Sequence, residues 1–262
     1  MKVLVLTALP QEYSPLKRFF PSWRSIQRRP FKKFAFSLPG KEINLVETGM
    51  GTKPAKEALT VQLAGVTPDL VIFFGFAGGL HPDLPVGAVC LTVSARELSS
   101  EVEFRFRFPD GLADFLAKNH IKPVMAFSAE PPGNKRALSA LAAGQPAVLD
   151  METATLAEMA WQSQIPFVCF RAVSDAIGHD LGFDLSDISD ERGRIRLAGV
   201  FATLISKPAT MKAFYLSWGR SRLAARNLCK SVAAFLEIPA PMLGRMAREL
   251  RIERTPVSIV RN

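Results

Sequence analysis

Five large apolar residues in succession, Leu70-Val71-Ile72-Phe73-Phe74, run into Gly75-Phe76-Ala77-Gly78-Gly79, and this stretch limits the available folds more than any other. A strand without polar alternation must be covered on both faces, as in a parallel sheet sheathed by helices. The stretch is broken by glycines and falls well short of the ~20 apolar residues of a membrane span. Further strand-like segments recur on either side of it. Met1–Thr7, Phe34–Leu38, Ile43–Glu47, Ala88–Val93, Val124–Phe127, Ala147–Leu149 and Phe167–Val173 all read as strands. Between them Glu12–Phe20, Lys53–Ala64, Gly111–Asn119, Lys135–Ala143 and Met151–Gln164 read as helices. The alternation predicts an α/β protein, a three-layer αβα sandwich around a mixed, mostly parallel sheet.

Beyond residue 190 the pattern changes. Arg194–Ile205, Met211–Leu236 and Met242–Leu250 read as helices separated by Pro208 and by Pro239 and Pro241. The expected organisation is an α/β domain over residues 1–190 and a helical, basic extension over 191–262 packed on it. The formal charge of +9 is concentrated in that extension, where residues 192–262 carry 14 Lys/Arg against 3 Asp/Glu. A smaller basic run, Lys17 to Lys33, is interleaved with Phe19, Phe20, Trp23 and Phe31. Such composition suits either a solvated helix face or peripheral contact with an anionic membrane. No zinc-finger spacing or RNP-like aromatic strand directs it to nucleic acid.

The three cysteines, Cys90, Cys169 and Cys229, lie far apart and indicate neither a disulfide framework nor a metal knuckle. Val3–Leu9 leads straight into Pro10-Gln11-Glu12 without a cleavage site, so it reads as a first strand and not a signal peptide. The expected setting is a reducing, cytoplasmic one.

In open α/β sheets ligands bind beyond the carboxyl ends of the strands. Glu12, Gly75–Gly79, Asp150-Met151-Glu152 and Asp175 all fall at such ends. Any single acid there reads equally well as an ordinary charge at a helix N-terminus. Three that converge on one sheet end make a candidate site, with glycines that let a ligand approach backbone N–H groups. Gly49-Met50-Gly51 has neither dinucleotide nor P-loop spacing. His81, His120 and His179 are isolated, with no metal-ligand spacing, and no Gly-x-Ser-x-Gly elbow occurs.

These same residues carry a family resemblance. Lys2–Glu12, Pro68–Leu80, Pro85-Val86-Gly87, Asp150–Ala154 and Pro166–Asp175 together resemble the nucleoside phosphorylase and nucleosidase superfamily. That group includes purine nucleoside phosphorylases and methylthioadenosine/S-adenosylhomocysteine nucleosidase. Asp190–Leu197, Lys207-Pro208 and the basic helix that follows are similar to its hopanoid-associated phosphorylase branch, linked to adenine removal from adenosylhopane, a lipid nucleoside.

The resemblance implies an enzyme without metal or redox cofactor, a homo-oligomer, and a small-molecule or lipid-linked nucleoside as substrate. Asp175 would protonate purine N7, and Glu12 would position or deprotonate the attacking water. Glu152 would hold the ribose hydroxyls and Met151 would pack on the sugar. Gly75, Phe76, Ala77, Gly78 and Ser174 would line the site, and Phe127 would stack on adenine. Carboxylates around the sugar would stabilise the oxocarbenium-like charge of the transition state. The acid is expected in a buried apolar setting that keeps its proton, and the base in a wetter one.

Two positions depart from the phosphorylase pattern. Phe76 and Phe73 stand where phosphorylases place a Ser and an Arg on phosphate, and an apolar ring cannot replace either on a dianion. Hydrolysis is therefore the expectation; a phosphate-dependent purine nucleoside phosphorylase would instead need inorganic phosphate as co-substrate. The same motifs would also suit a methylthioadenosine/S-adenosylhomocysteine nucleosidase or a non-catalytic nucleoside-binding protein. The segment between Cys90 and Pro109 is shorter than in small-thionucleoside nucleosidases, which leaves room for a bulky 5′ substituent.

Overall fold

The computed structural model describes residues 1–130, 135–177 and 210–257. Strand β1 (Lys2–Thr7) leads into the short helix α1 (Pro10–Tyr13) and a 3-10 turn over Ser14–Arg18. Strands β2 (Arg24–Gln27), β3 (Lys32–Leu38) and β4 (Lys41–Glu47) follow, then helix α2 (Thr52–Gly65). Next come β5 (Leu70–Gly79), β6 (Val89–Glu97), β7 (Val102–Arg107), α3 (Asp110–Lys118) and β8 (Lys122–Ser128). Helix α4 (Lys135–Leu141), β9 (Ala147–Asp150), α5 (Thr153–Gln162) and β10 (Phe167–Asp175) continue the chain. The long helix α6 (Thr210–Glu237), α7 (Ala240–Glu249) and β11 (Arg251–Pro256) complete the described residues.

The apolar run sits at the centre, as its composition requires. β5 pairs in parallel with β1 (Val5↔Ile72) and with β10 (Cys169↔Phe73). Side chains alternate between the two faces of a strand, and β5 uses both. Ile72 and Phe74 join Tyr13, Leu16, Leu228, Val232 and Phe235 on one side. Val71 and Phe73 join Ala55, Leu59, Leu156 and Ala157 on the other. Helices α1, α6 and α7 thus cover one face and α2 and α5 the opposite one, which is the three-layer arrangement.

Mixed pairing gives the sheet its shape. From β1 it continues through parallel β4 to antiparallel β3 and β2. On the other side, β10 pairs antiparallel with β6, β6 parallel with β8, β8 parallel with β9, and β9 antiparallel with the end of β5. Strands β5, β10, β6, β8 and β9 therefore close into a ring. Register breaks at Thr92/Ser94 and Val173/Asp175 accompany the closure, since an extra residue bends a strand and re-aims its side chains.

Three strands, β2, β7 and β11, go beyond the sequence expectation. β2 and β11 are short, polar strands at the two ends of the sheet order, as edge strands tend to be, and β7, between β6 and β11, alternates apolar and charged residues, so all three read as polar linker. β11 pairs antiparallel with β7 (Ile252↔Phe106), so the C-terminal part is not wholly helical. Its helix α6 enters the core, with Ala224, Leu228 and Val232 fully buried. The boundary at residue 190, the helix expected over Arg194–Ile205, Asp190–Leu197, Lys207-Pro208 and His179 lie outside the described residues. The first helix is also shorter than expected, because Pro15 stands at the start of the 3-10 turn and has no N–H to carry an α-helix onward.

The basic run after Lys17 folds around its aromatics. Phe20 and Phe31 are buried, and Trp23 stacks on Phe36 and on Tyr13. Lys17 Nζ lies 5.2 Å from the Phe34 ring centroid and 5.6 Å from that of Trp23. Most of these rings are spent on packing, while Phe19 stays exposed. No helix among the described residues is long and apolar enough to cross a membrane.

Leu228 anchors α6 in the core cluster that holds Ile72 and Phe74. Leu228→Ala is expected to destabilise the fold by about 2–5 kcal/mol, read as a lower denaturation midpoint at unchanged slope in urea.

Candidate active site

The turn after β1 folds Glu12 back onto its own strand end. Its Oε2 accepts hydrogen bonds from Thr7 Oγ1 at 2.9 Å, Ala8 N at 2.9 Å and Leu9 N at 2.8 Å. Its Oε1 accepts one from Phe76 N, on β5, at 2.8 Å. Behind this carboxylate, Cys229 Sγ of α6 donates to the Glu12 backbone carbonyl at 3.0 Å. Burial pushes Glu12 up from the usual carboxylate range, and the Phe76 and Leu9 N–H groups, together with the Arg171 charge, pull it partly back.

Gly75 makes the close approach between the strands. A Cβ there would lie 2.6 Å from Arg171 Nη1 and 2.8 Å from Glu12 Oε1. Arg171 stands opposite Gly75 on β10 and is 1% exposed. Its Nη2 donates to Thr153 Oγ1 at 2.7 Å and its Nε to the same oxygen at 3.1 Å. The guanidinium pairs with Asp150, lies 3.6 Å from Glu152 Oε2, and stacks 4.1 Å from the centroid of Phe73. The sequence motifs contain Arg171 without pointing to a role for it. A basic residue inside an otherwise apolar strand is the signal that could have found it.

Asp150 and Glu152 enter from β9 and the start of α5. Asp150 accepts from Ser128 Oγ at 2.6 Å and from Thr153, which leaves it a structural partner of Arg171. Glu152 is buried, and its Oε1 takes the Gly51 N–H at 2.7 Å, in the turn before α2. Burial pushes Glu152 up to about 7; Arg171 lowers it, while Asp150 raises it further. Met151 is half-buried, and its carbonyl accepts from Thr52 Oγ1 at 3.0 Å.

Asp175 ends β10, opposite Gly78 after the register break. Ser174 Oγ donates to its Oδ1 at 2.6 Å, and Lys135, from α4, forms an ion pair with its Oδ2. The expected division between a buried acid and a wetter base is not what the structure shows. Glu12 is 3% exposed and Asp175 is 7% exposed, and the partner of Asp175 is an ammonium instead of an apolar wall.

The remaining expected residues divide by position. Phe76, Ala77 and Gly78 run along β5 opposite Ala172, Val173 and Asp175. Phe127 is 1% exposed, packed with Leu80, Ala142, Ala147 and Leu149, with the Arg96 guanidinium 5.2 Å from its ring centroid. Its ring belongs to that separate cluster and is not among the residues gathered around Arg171.

The sequence matches the Phosphorylase superfamily model over residues 2–143 and 124–206, so the chain belongs to that superfamily. With this fold, it is an enzyme of the class that acts on N-glycosidic bonds, nucleosidase or phosphorylase. Among curated relatives, the 5′-methylthioadenosine/S-adenosylhomocysteine nucleosidase of Haemophilus influenzae (strain PittEE) is 27% identical over 197 residues, spanning 67% of this chain and 86% of the relative. The Neisseria meningitidis enzyme of the same name, solved with methylthio-immucillin-A, superposes with a TM-score of 0.62 at 20% identity, covering 88% of this chain and 96% of that one. Futalosine hydrolase of Helicobacter pylori superposes with a TM-score of 0.67 at 14% identity, covering 90% and 98%. These superpositions show a shared fold.

The position of Glu152 has a measurable consequence. With its carboxyl pushed up to about 7, protonation below that pH removes a charged acceptor. A nucleoside whose hydroxyls donate to Glu152 is expected to bind more tightly above this value than below it. Glu152→Gln should flatten the dependence, as read by titration calorimetry from about pH 6 to about pH 8.

Proposed function

We propose that this chain is a nucleosidase that hydrolyses the N-glycosidic bond of a 5′-substituted adenosine and releases adenine. One observation carries the reading: Arg171 joins Glu12 and Glu152 in a single buried cluster, and Asp175 lies four residues further along the same strand.

Each acid suits a different step. Among the described residues three donors occupy Glu12 Oε2 while Oε1 takes the Phe76 N–H, and the second lone pair of Oε1 can hold a water. Burial raises the proton affinity of this carboxylate, which suits a base that must accept the proton of that water. Glu152 accepts ribose hydroxyls and, with Glu12, places negative charge beside a sugar that becomes cationic as the bond breaks. Asp175 serves N7 of the departing base.

Two features favour water over phosphate as the acceptor. The Phe73 ring lies against Arg171, and Phe76 presents its backbone N–H to Glu12, so neither offers an anion a side-chain donor. Adenine release is expected to proceed equally with and without added phosphate. Strict dependence on phosphate would overturn the hydrolytic reading. Asp175→Asn should lower turnover by roughly 10²–10⁴-fold, the usual contribution of a positioned acid.

The 5′ group has two candidates. The curated relatives favour methylthioadenosine and S-adenosylhomocysteine. The resemblance to the hopanoid-associated branch favours adenosylhopane, a place in hopanoid biosynthesis and a homo-oligomeric enzyme working at a membrane surface. In support of the lipid substrate, Trp218 on α6 and Met242 on α7 are 48% and 49% exposed, each with an exposed arginine at helical spacing, Arg222 and Arg245. A mass-spectrometric panel of both substrate kinds decides between them. Co-sedimentation with anionic vesicles should be strong at low salt and fade as ionic strength rises.

A further inference from the structure

Asp175 accepts a hydrogen bond on each of its two oxygens, from Ser174 Oγ on Oδ1 and from Lys135 Nζ on Oδ2. Lys135 also donates to the Ala176 carbonyl at 3.3 Å. The two side chains of the ion pair are each 10% exposed, so little water reaches it. Gly78 keeps the space between the strands open: a Cβ there would lie 3.2 Å from both Asp175 Oδ2 and Lys135 Cδ. In this arrangement Asp175 is an acceptor, and the proton held against it belongs to the lysine. A purine that leaves as a neutral base nevertheless needs a proton on N7. We propose that Lys135 is a positioning residue that supplies, through Asp175, the proton taken by the leaving base, so that the ion pair as a unit does the work of the acid.

The inference rests on the nucleosidase reading and adds a residue to it. As C1′–N9 breaks, its electron pair stays with the purine. Asp175 passes a proton to N7 and receives one from the Lys135 ammonium, which becomes a neutral amine. Water bonds to C1′ and gives its proton to Glu12. Solvent then reprotonates Lys135 and takes the proton from Glu12, so that nucleoside and water become base and sugar.

The test compares two leaving groups in the full chain. Wild type, Lys135→Met and Lys135→Gln are assayed with the adenosine derivative the wild type cleaves best and with 4-nitrophenyl β-D-ribofuranoside, whose phenolate departs without a proton. For both variants, kcat for adenine release is expected to fall on the order of 100-fold with KM little changed. Release of 4-nitrophenolate should fall no more than a few-fold, which also shows that the site is folded. Equal losses on both substrates would make Lys135 merely structural and overturn the proposal, as would adenine release at the wild-type rate. A wild type that cleaves neither substrate would remove the nucleosidase reading itself, and this inference with it.

Discussion

A guanidinium with almost no exposure to water, held among carboxylates, is the interaction on which the rest of this structure depends. Glu12, Asp150 and Glu152 all act on Arg171 electrostatically. Burying such a group of acids without a cation would drive protons onto them. Arg171 offsets that cost, and Thr153, Phe73 and the Phe76 carbonyl complete its surroundings. Removing one partner of a buried pair commonly costs about 3–5 kcal/mol, because the other charge is left uncompensated. The cluster is therefore both a support for the sheet and the source of the site's electrostatics. Gly75 belongs to the same solution, since any larger residue would push the strands apart where the two charges meet.

The topology explains how groups so distant in sequence converge. β1, β5 and β10 run in parallel and deliver Glu12, the glycine stretch and Asp175 to one end. β9 runs antiparallel to β5 and carries Asp150 and Glu152 in from the other direction, because the barrel-like ring turns the sheet back on itself. The register break before Asp175 sets it against Gly78. The register shift in the pairing of β5 with β10 thus falls beside a residue that the chemistry needs.

Much of this is legible from the sequence, for physical reasons that differ by element. β5 and β10 announce themselves because strands covered on both faces need continuous apolar runs. β2 and β11 do not, because an edge strand such as Arg251–Pro256 carries charges that read as linker, and the charges that alternate along β7 hide it in the same way. Glu12, Glu152 and Asp175 stand out as acids at strand ends, where little else explains three together. Arg171 lies inside a recognisable motif, yet its partners come from separate segments that sequence order does not link. Lys135 is hidden for the same reason: it opens a helix 40 residues before the aspartate it meets. Phe127 shows the converse limit, for an aromatic near a strand end reads alike whether it faces a ligand or fills a core.

The placement of α6 bears on how such a molecule comes into being. Much of the covering of one face of the central strand is supplied by α6 residues after 220, which join Tyr13 and Leu16 there and follow β5 at a long distance in sequence. During synthesis, the most apolar strand must wait through well over a hundred further residues before that cover exists. Long-range closure of this kind slows folding and prolongs exposure of sticky surface. The nascent polypeptide therefore has reason to depend on chaperones until α6 has left the ribosome.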